Sequence, residues 1–341
     1  MNLKELAANL GLSQTTVSRA LNGYPEVNED TRKRVIAAAS QHNYRPNTRA
    51  QSLATGRSMA IGHVIPISTN HEMMNPVFGD FIGGAGEIYA RAGYDMMLSV
   101  VPDDAEDGAY RSMAQRNSVD GIVIHGPRRD DPRIALLKEV GLPFIVHGRA
   151  PVDDTDYSYV DVNNRRAFER ATLHLADLGH TRMALLNGLE SMDFAIRRRE
   201  GFEAALKDRG LPFLPQFHRS EEMTESYGYQ AAREMLAQPD PPTAFLVSSL
   251  ITAMGVRRAV EERGLQMGRD ISIITHDDDL GYFKNGGEVP VFTATRSSVR
   301  EAGRITAEML LGLIDTPQNG PRQHIMEADL TLGLSTGPAP R

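Results

Sequence analysis

Gln14, Thr15, Ser18 and Arg19 fall on one side of a short helical pattern, and these residue types suit base reading. An Arg can fork onto guanine O6 and N7, a Gln onto adenine, and a Thr can meet a thymine methyl or a phosphate. Ser13, Thr16 and Asn22 lie near the ends of the same pattern, where hydroxyls, amides and free backbone N–H groups can hold phosphates. A polar-surfaced protein-binding helix is the bland alternative. The chemistry of catalysis is harder to find. With no cysteine, thiolate catalysis, iron–sulfur clusters and cysteine zinc sites are excluded. No G-x-x-x-x-G-K-[ST] loop, G-x-S-x-G elbow or H-E-x-x-H pair occurs. Gly83-Gly84-Ala85-Gly86 sits inside a helical pattern and reads as close helix packing. Asp277-Asp278-Asp279 lacks the spaced partner acid of a hard-metal site. Neither an enzyme, a cofactor nor a metal is expected.

The elements that position the first set are three helices. Leu3, Leu6, Ala7 and Leu10 make one apolar stripe. Gly11 can cap that helix in the left-handed region, and Ser13 can start the next after a turn of about three residues, the geometry of a helix-turn-helix. Val17, Ala20 and Leu21 face inward. A third helix after Asn28 adds Val35, Ala38 and Ala39. Residues 1–58 carry eight Lys/Arg against four acids, a net +4, while the whole chain of 341 residues is −7. A small basic head on an acidic body suits a polyanion-binding module. Pro46 closes the head, and Asn47 can cap a helix from Thr48 to Ala54, too short to be stable alone in water.

The run Leu12-Ser13-Gln14-Thr15-Thr16-Val17-Ser18-Arg19-Ala20-Leu21-Asn22-Gly23, followed by Asn43-Tyr44-Arg45-Pro46-Asn47, resembles the headpiece of LacI/GalR-family transcription regulators. The resemblance implies operator binding that includes Tyr44 and Asn47. It also implies a hinge helix that folds when two copies lie side by side in the minor groove, with Leu53 as the wedge that kinks the duplex.

From Met59 onward short apolar runs alternate with amphipathic stretches. The candidate strands are 60–67, 95–101, 121–125, 143–147, 183–186, 244–247 and 271–275; helical patterns include 77–92, 165–178, 198–207, 226–237 and 252–263. That alternation argues for parallel sheets covered on both faces. Gly337-Pro338-Ala339-Pro340-Arg341 reads as a disordered tail. Asn75-Pro76-Val77-Phe78, Asp120-Gly121-Ile122-Val123, Leu178-Gly179-His180, Arg199-Glu200-Gly201-Phe202 and Asp270-Ile271-Ser272-Ile273 extend the resemblance over nearly the whole chain. It implies an α/β periplasmic-binding-protein-like core of two doubly wound lobes joined by three crossings, with a ligand in the cleft. The partition expected is 1–46 headpiece, 47–58 hinge helix and linker, 59–176 with 299–321 first lobe, and 177–298 with 322–341 second lobe.

Within Arg197-Arg198-Arg199, successive positions turn about 100°, so the three cannot all face one cleft. Counting back from Gly201-Phe202, Arg198 matches the family's ligand-clamping arginine, which can fork onto vicinal hydroxyls. Asp277 matches the family's ligand acid; a capping role is its plain alternative. Phe78 could stack on a sugar face, or be simple core. His125 ends a buried strand and could point into the cleft or be a satisfied structural histidine. Arg149 and Phe194 are weaker candidates of the same kind. The chain departs from the family where Ser249 replaces the usual Asn, Met223 a common aromatic, and Gly148 an acid. His71-Glu72-Met73-Met74 looks inserted beside the cleft.

The first residues lack the apolar stretch of a secretory signal, and no run approaches the roughly 20 apolar residues of a membrane span. The expectation is a cytoplasmic homodimeric repressor without membrane contact. Its partners would be a palindromic operator in double-stranded DNA and a small-molecule effector. A weak likeness to α-glucoside operon regulators points to a glucoside or disaccharide effector. A co-repressor-dependent regulator, a sugar receptor and a sugar-modifying enzyme are the alternatives.

Overall fold

The computed structural model describes residues 1–21, 23–44, 56–66, 76–150 and 156–340. They form two compact units, Met1–Met59 and Ala60–Arg341. In the first, α1 (Leu3–Leu10) starts with a reciprocal cap: Asn2 Oδ1 accepts from Glu5 N at 2.9 Å and the Glu5 carboxylate accepts from Asn2 N at 3.0 Å. Gly11, with φ +66°, ends it. Ser13 Oγ accepts from Thr16 N at 3.0 Å and starts α2 (Gln14–Leu21). Asn28 caps α3 (Glu29–Gln41). Leu6, Ala7, Val17, Ala20, Val35 and Ala39 form the core, as their spacing predicts, joined by Val27 from the connection between α2 and α3. Arg32 Nη2 donates to the carbonyls of Gly23, Tyr24 and Val27 and so pins the connection between α2 and α3.

The second unit is built on two six-stranded sheets. The elements in chain order are β1 (Ala60–Pro66), α4 (Pro76–Ala92), β2 (Asp95–Val101), α5 (Glu106–Gln115), β3 (Gly121–His125), α6 (Pro132–Val140), β4 (Phe144–His147) and β5 (Ser158–Val162). Then come α7 (Asn164–Asp177), β6 (Met183–Asn187), α8 (Asp193–Asp208), β7 (His218–Ser220), α9 (Glu225–Leu236), β8 (Ala244–Val247), α10 (Leu250–Glu262) and β9 (Ser272–Asp277). The chain closes with β10 (Thr293–Arg296), α11 (Val299–Asp315), β11 (Gln323–Met326) and β12 (Asp329–Thr331). The first sheet, β11-β5-β4-β3-β1-β2, is parallel throughout. The second, β12-β10-β9-β8-β6-β7, is parallel except for β12. Central strands such as β6 and β8 are buried along their whole length, which is why they read as continuous apolar runs.

Three crossings join the lobes, after β5, after β10 and after β11, but the handover points differ from the expected partition. Helix α7, expected in the first lobe, packs on α8, and its Ala167, Phe168, Ala171 and Leu175 share a core with Leu185, Phe202, Leu246 and Ile274 of the second. Strand β11, expected in the second lobe, pairs with β5 of the first, Gln323 opposite Tyr159. The tail is also ordered rather than disordered. Ser335 Oγ accepts from Thr293 N at 2.8 Å, Gly337 N donates to Ser272 Oγ at 3.1 Å, and Ala339 N donates to Leu178 O at 2.8 Å. Close packing at the glycine run is observed between α4 and α11: a Cβ on Gly84 would lie 1.9 Å from the Arg300 carbonyl oxygen. Among the described residues no helix is long and apolar enough to cross a membrane.

Candidate nucleic-acid interface and effector cleft

Helix α2 buries Val17 and Ala20 and turns Gln14, Thr15 and Arg19 outward, all three exposed. Ser13 is exposed at its start, its Oγ 2.8 Å from that of Thr16; Thr16 and Ser18 are partly covered. Ser13, Thr15, Thr16 and Arg19 line a surface depression of about 240 Å³, completed by Glu26, Val27, Asn28 and Thr31. One side of the unit therefore gathers the hydroxyls, the guanidinium and the start of α3. Tyr44 packs against the headpiece core while staying partly exposed, and burial pushes its hydroxyl pKa up. Asn22, Asn47, Leu53 and the inserted 71–74 lie outside the described residues.

In the second unit, both sheets change winding direction beside a central strand, β1 in one and β6 in the other, and crevices open at the carboxyl ends of the strands there. Those two ends face each other across the lobes. Asp193 N donates to Pro127 O at 3.1 Å, Arg128 bridges Met192, and Gly281 N donates to Asp80 on α4.

The first-lobe wall is aromatic. The ring of His125, at the end of β3, lies edge-on to Phe78 (5.1 Å), Phe81 (5.0 Å) and His147 (5.8 Å), and stacks on His63 at 5.2 Å. Burial lowers the imidazole pKa values, to about 3 for His63 and about 4 for His147, with His125 also well below its ordinary value. All three rings are neutral at pH 7. Arg133 supports this wall from behind. It is bound to Asp131 and Glu106, and its Nη2 donates to the carbonyls of His125 and Gly126.

The second-lobe wall carries the charge. Arg198 is 6% exposed; its Nε donates to Asn164 Oδ1 at 2.8 Å and its Nη1 to the Ser248 carbonyl at 2.7 Å. Its guanidinium sits 5.0 Å from the ring centres of both Phe168 and Phe194. Burial lowers its pKa to about 10, opposed by the charges of Asp278 and Asp161. Burial raises Asp278 to about 6 against the pull of Arg198, with Asp277 pushing the same way as burial. The neighbouring arginines diverge as the helical turn requires, Arg197 to Asp193 and Arg199 to Glu190 and Glu203. Phe194 and Met223 meet over Gly188, where a Cβ would lie 2.9 Å from Phe194 Cζ and 3.4 Å from Met223 Sδ.

Three candidates are engaged otherwise. Ser249 caps α10, its Oγ accepting from Thr252 N at 3.2 Å. Asp277 Oδ1 accepts from Asp279 N at 2.9 Å, a local turn, while Asp278 is the carboxylate that acts on Arg198. Arg149 is ion-paired with buried Asp161 at 2.8 Å, and burial raises Asp161 to about 6 despite Arg149 and Arg197. Sequence reasoning also missed Asn187, fully buried at the end of β6. It donates to Ala195 O and Glu190 Oε1 and accepts from Ser248 Oγ, which holds the carbonyl that grips Arg198.

Two family models match the chain. Residues 2–47 match "Bacterial regulatory proteins, lacI family", and residues 59–331 match "Periplasmic binding proteins and sugar binding domain of LacI family". The chain belongs to the LacI family. Among LacI-family relatives, it is 44% identical to the HTH-type transcriptional regulator AglR of Rhizobium meliloti (strain 1021), over 100% of this chain and 95% of that protein. It is 35% identical to RafR of Escherichia coli over 81% of this chain and 82% of that one. Two solved structures are similar at 26% identity. The lac repressor dimer bound to operator and the anti-inducer ONPF matches with a TM-score of 0.84, covering 99% of both chains. The CelR–cellobiose complex matches with a TM-score of 0.72, covering 98% of this chain and 99% of that one. This LacI-family chain is thus a DNA-binding transcription regulator rather than an enzyme, with a helix-turn-helix unit followed by a two-lobed sugar-binding-type core.

Proposed function

We propose that the protein is a cytoplasmic homodimeric repressor of a sugar-utilisation or uptake operon, released from a palindromic operator when a glucoside or disaccharide enters the cleft. Gln14, Thr15 and Arg19 read bases, Ser13, Thr16, Ser18 and Asn22 hold the backbone, and Tyr44, Asn47 and Leu53 complete the contact at the hinge. The observation that carries the effector half is Arg198. It is buried over two aromatic rings, with Nε and Nη1 bonded and Nη2 left for a ligand among the described residues. Asp278 stands beside it as the acceptor for hydroxyls, while Phe78, Phe194, Met223 and His125 supply the apolar and aromatic surface that sugar rings stack on. Arg149 and Asp277 act at one remove, by holding Asp161 and the loop that carries Asp278, and Ser249 by starting α10.

A ligand that binds one lobe arrangement better shifts the population, so effector and operator must weaken each other by the same factor. The test is operator-fragment binding at fixed salt, titrated with mono- and disaccharides, on the wild type and Arg198→Ala. Release by a glucoside, lost in Arg198→Ala with operator affinity kept, is expected. Tightening by any compound would overturn the inducer reading in favour of co-repression.

A further inference from the structure

His63 belongs to neither the operator face nor the candidate effector set, yet it is fully buried in β1, one strand from His125. Its Nδ1 lies 2.9 Å from His125 Nε2, and this is the hydrogen bond that joins the two rings. Both rings are neutral, so one nitrogen of the pair carries a proton and the other a lone pair. Which is which follows from the far side of His63. Its Nε2 is buried with no hydrogen-bond partner among the described residues, and the neighbouring ring is Tyr89, whose buried hydroxyl also lacks one. A stranded N–H there costs more than a stranded lone pair. The neighbouring Tyr89 carries a hydroxyl that can itself donate, so a bare Nε2 adds no second stranded donor on that side. His63 is thereby biased to carry its proton on Nδ1 and give it to His125 Nε2. A neutral His125 with Nε2 accepting must carry its own proton on Nδ1, the nitrogen without a partner among the described residues, on a half-buried ring at the strand end. The three histidines are not a metal cage: among the described residues no group of three or more His, Asp or Glu side chains is placed to hold a metal ion.

We propose that His63 is a positioning residue for the cleft: its Nδ1–H···Nε2 bond fixes the tautomer of His125, so that His125 presents an N–H donor and selects an effector with an acceptor oxygen at that point. The second half rests on the effector reading above; the first does not. The experiment separates them. Full-length protein labelled with nitrogen-15 in its ten histidine rings is read by long-range proton–nitrogen correlation at neutral pH without ligand, with signals assigned by His63→Leu and His125→Asn. The expected pattern is a protonated, pyrrole-type Nδ1 and a bare, pyridine-type Nε2 on both His63 and His125. His63→Leu should shift the His125 signals toward the other tautomer. His63→Asn, whose amide can sit where Nδ1 was and donate, should leave them in place. A proton on His125 Nε2 in the wild type, or no change in His63→Leu, overturns the proposal. With maltose as probe, half-release of operator should need about tenfold more sugar in His63→Leu and near wild-type amounts in His63→Asn. Equal responses of all three proteins overturn the selecting role. If no sugar releases the wild type while the expected tautomer is seen, the effector reading fails and the positioning role stands.

Discussion

Replacing Arg133 by leucine isolates what holds up the aromatic wall of the cleft. Arg133, Asp131 and Glu106 are each 8–9% exposed. The guanidinium makes two bonds to Asp131, at 2.8 and 2.6 Å, one to Glu106 at 3.1 Å, and reaches the carbonyls of His125 and Gly126 at 3.1 and 3.3 Å. Removing one partner of such a buried pair costs about 3–5 kcal/mol, because the carboxylates left behind are uncompensated. At about 2–4 °C per kcal/mol for a domain of this size, the core should melt about 6–20 °C lower. With no tryptophan in the chain, calorimetry on the full-length protein is the assay. The pH dependence gives a second check. Burial pushes the Asp131 carboxyl up, but the hydrogen bonds and charge of Arg133, with the N–H groups of Arg128 and Arg133, hold it below its ordinary value. A depressed carboxyl contributes stability at neutral pH that is lost as pH falls through its folded pKa. In Arg133→Leu the carboxyls instead gain by protonation. Both effects narrow the gap between the two proteins on acidification. A loss below about 1 kcal/mol at pH 7, or a gap that ignores pH, would refute the reasoning.

Asp278→Asn should stabilise the ligand-free core about twice as much at pH 8 as at pH 5. Burial raises this acid to about 6, so the wild type loses up to about 3 kcal/mol as pH climbs from the ordinary carboxyl range to that value, about half of it by pH 5; an equal gain in melting temperature at both pH values would count against it. Gly84→Ala should cost about 1–3 kcal/mol by forcing α4 off the Arg300 carbonyl. Gly86→Ala, whose Cβ would meet nothing nearer than 3.9 Å, should be neutral or gain up to about 1 kcal/mol; identical melting of the two variants would sink the packing account. Truncation after Leu334 removes the acceptor Gly337 O from buried His180 and the Ser335 bond to Thr293. It should cost about 2 kcal/mol or more, whereas a loose tail would cost nothing by the same calorimetry.

The sequence disclosed what was local and periodic. Stripes at helical spacing gave the headpiece core apart from Val27, which lies between helices, and continuous apolar runs gave β1, β3, β6 and β8. The short edge strands were illegible: β11 is largely exposed, so no burial pattern marks it, and its lobe is decided by pairing with a strand more than 150 residues earlier. Helix α7 follows a strand of one lobe and packs on the other, and its stripe says only that one face is buried. At the site, helical rotation says only that Arg197, Arg198 and Arg199 diverge, and it is the resemblance to the family that picks out Arg198. Only Asp277 was expected at the site, and that Asp278 is the acid acting on Arg198 turns on one residue of loop geometry, which spacing does not fix. Ser249 stands at a family ligand position, yet a hydroxyl ahead of a helix serves equally as a cap, and spacing does not separate the two roles. His63 passed unnoticed inside an apolar strand, since its partner is 62 residues away.

Strands β11 and β12 are separated by two residues, and each is the terminal strand of a different sheet. Neither lobe can complete its sheet until residues 323–331 have left the ribosome. The headpiece, whose core lies wholly within its own residues, has no such wait. During synthesis the part that grips DNA is therefore finished first, and the part that senses the ligand is finished last and all at once. A messenger cut short before residue 323 would yield chains with a complete reading head and two unfinished lobes, and the cell would meet these as misfolded protein to be cleared.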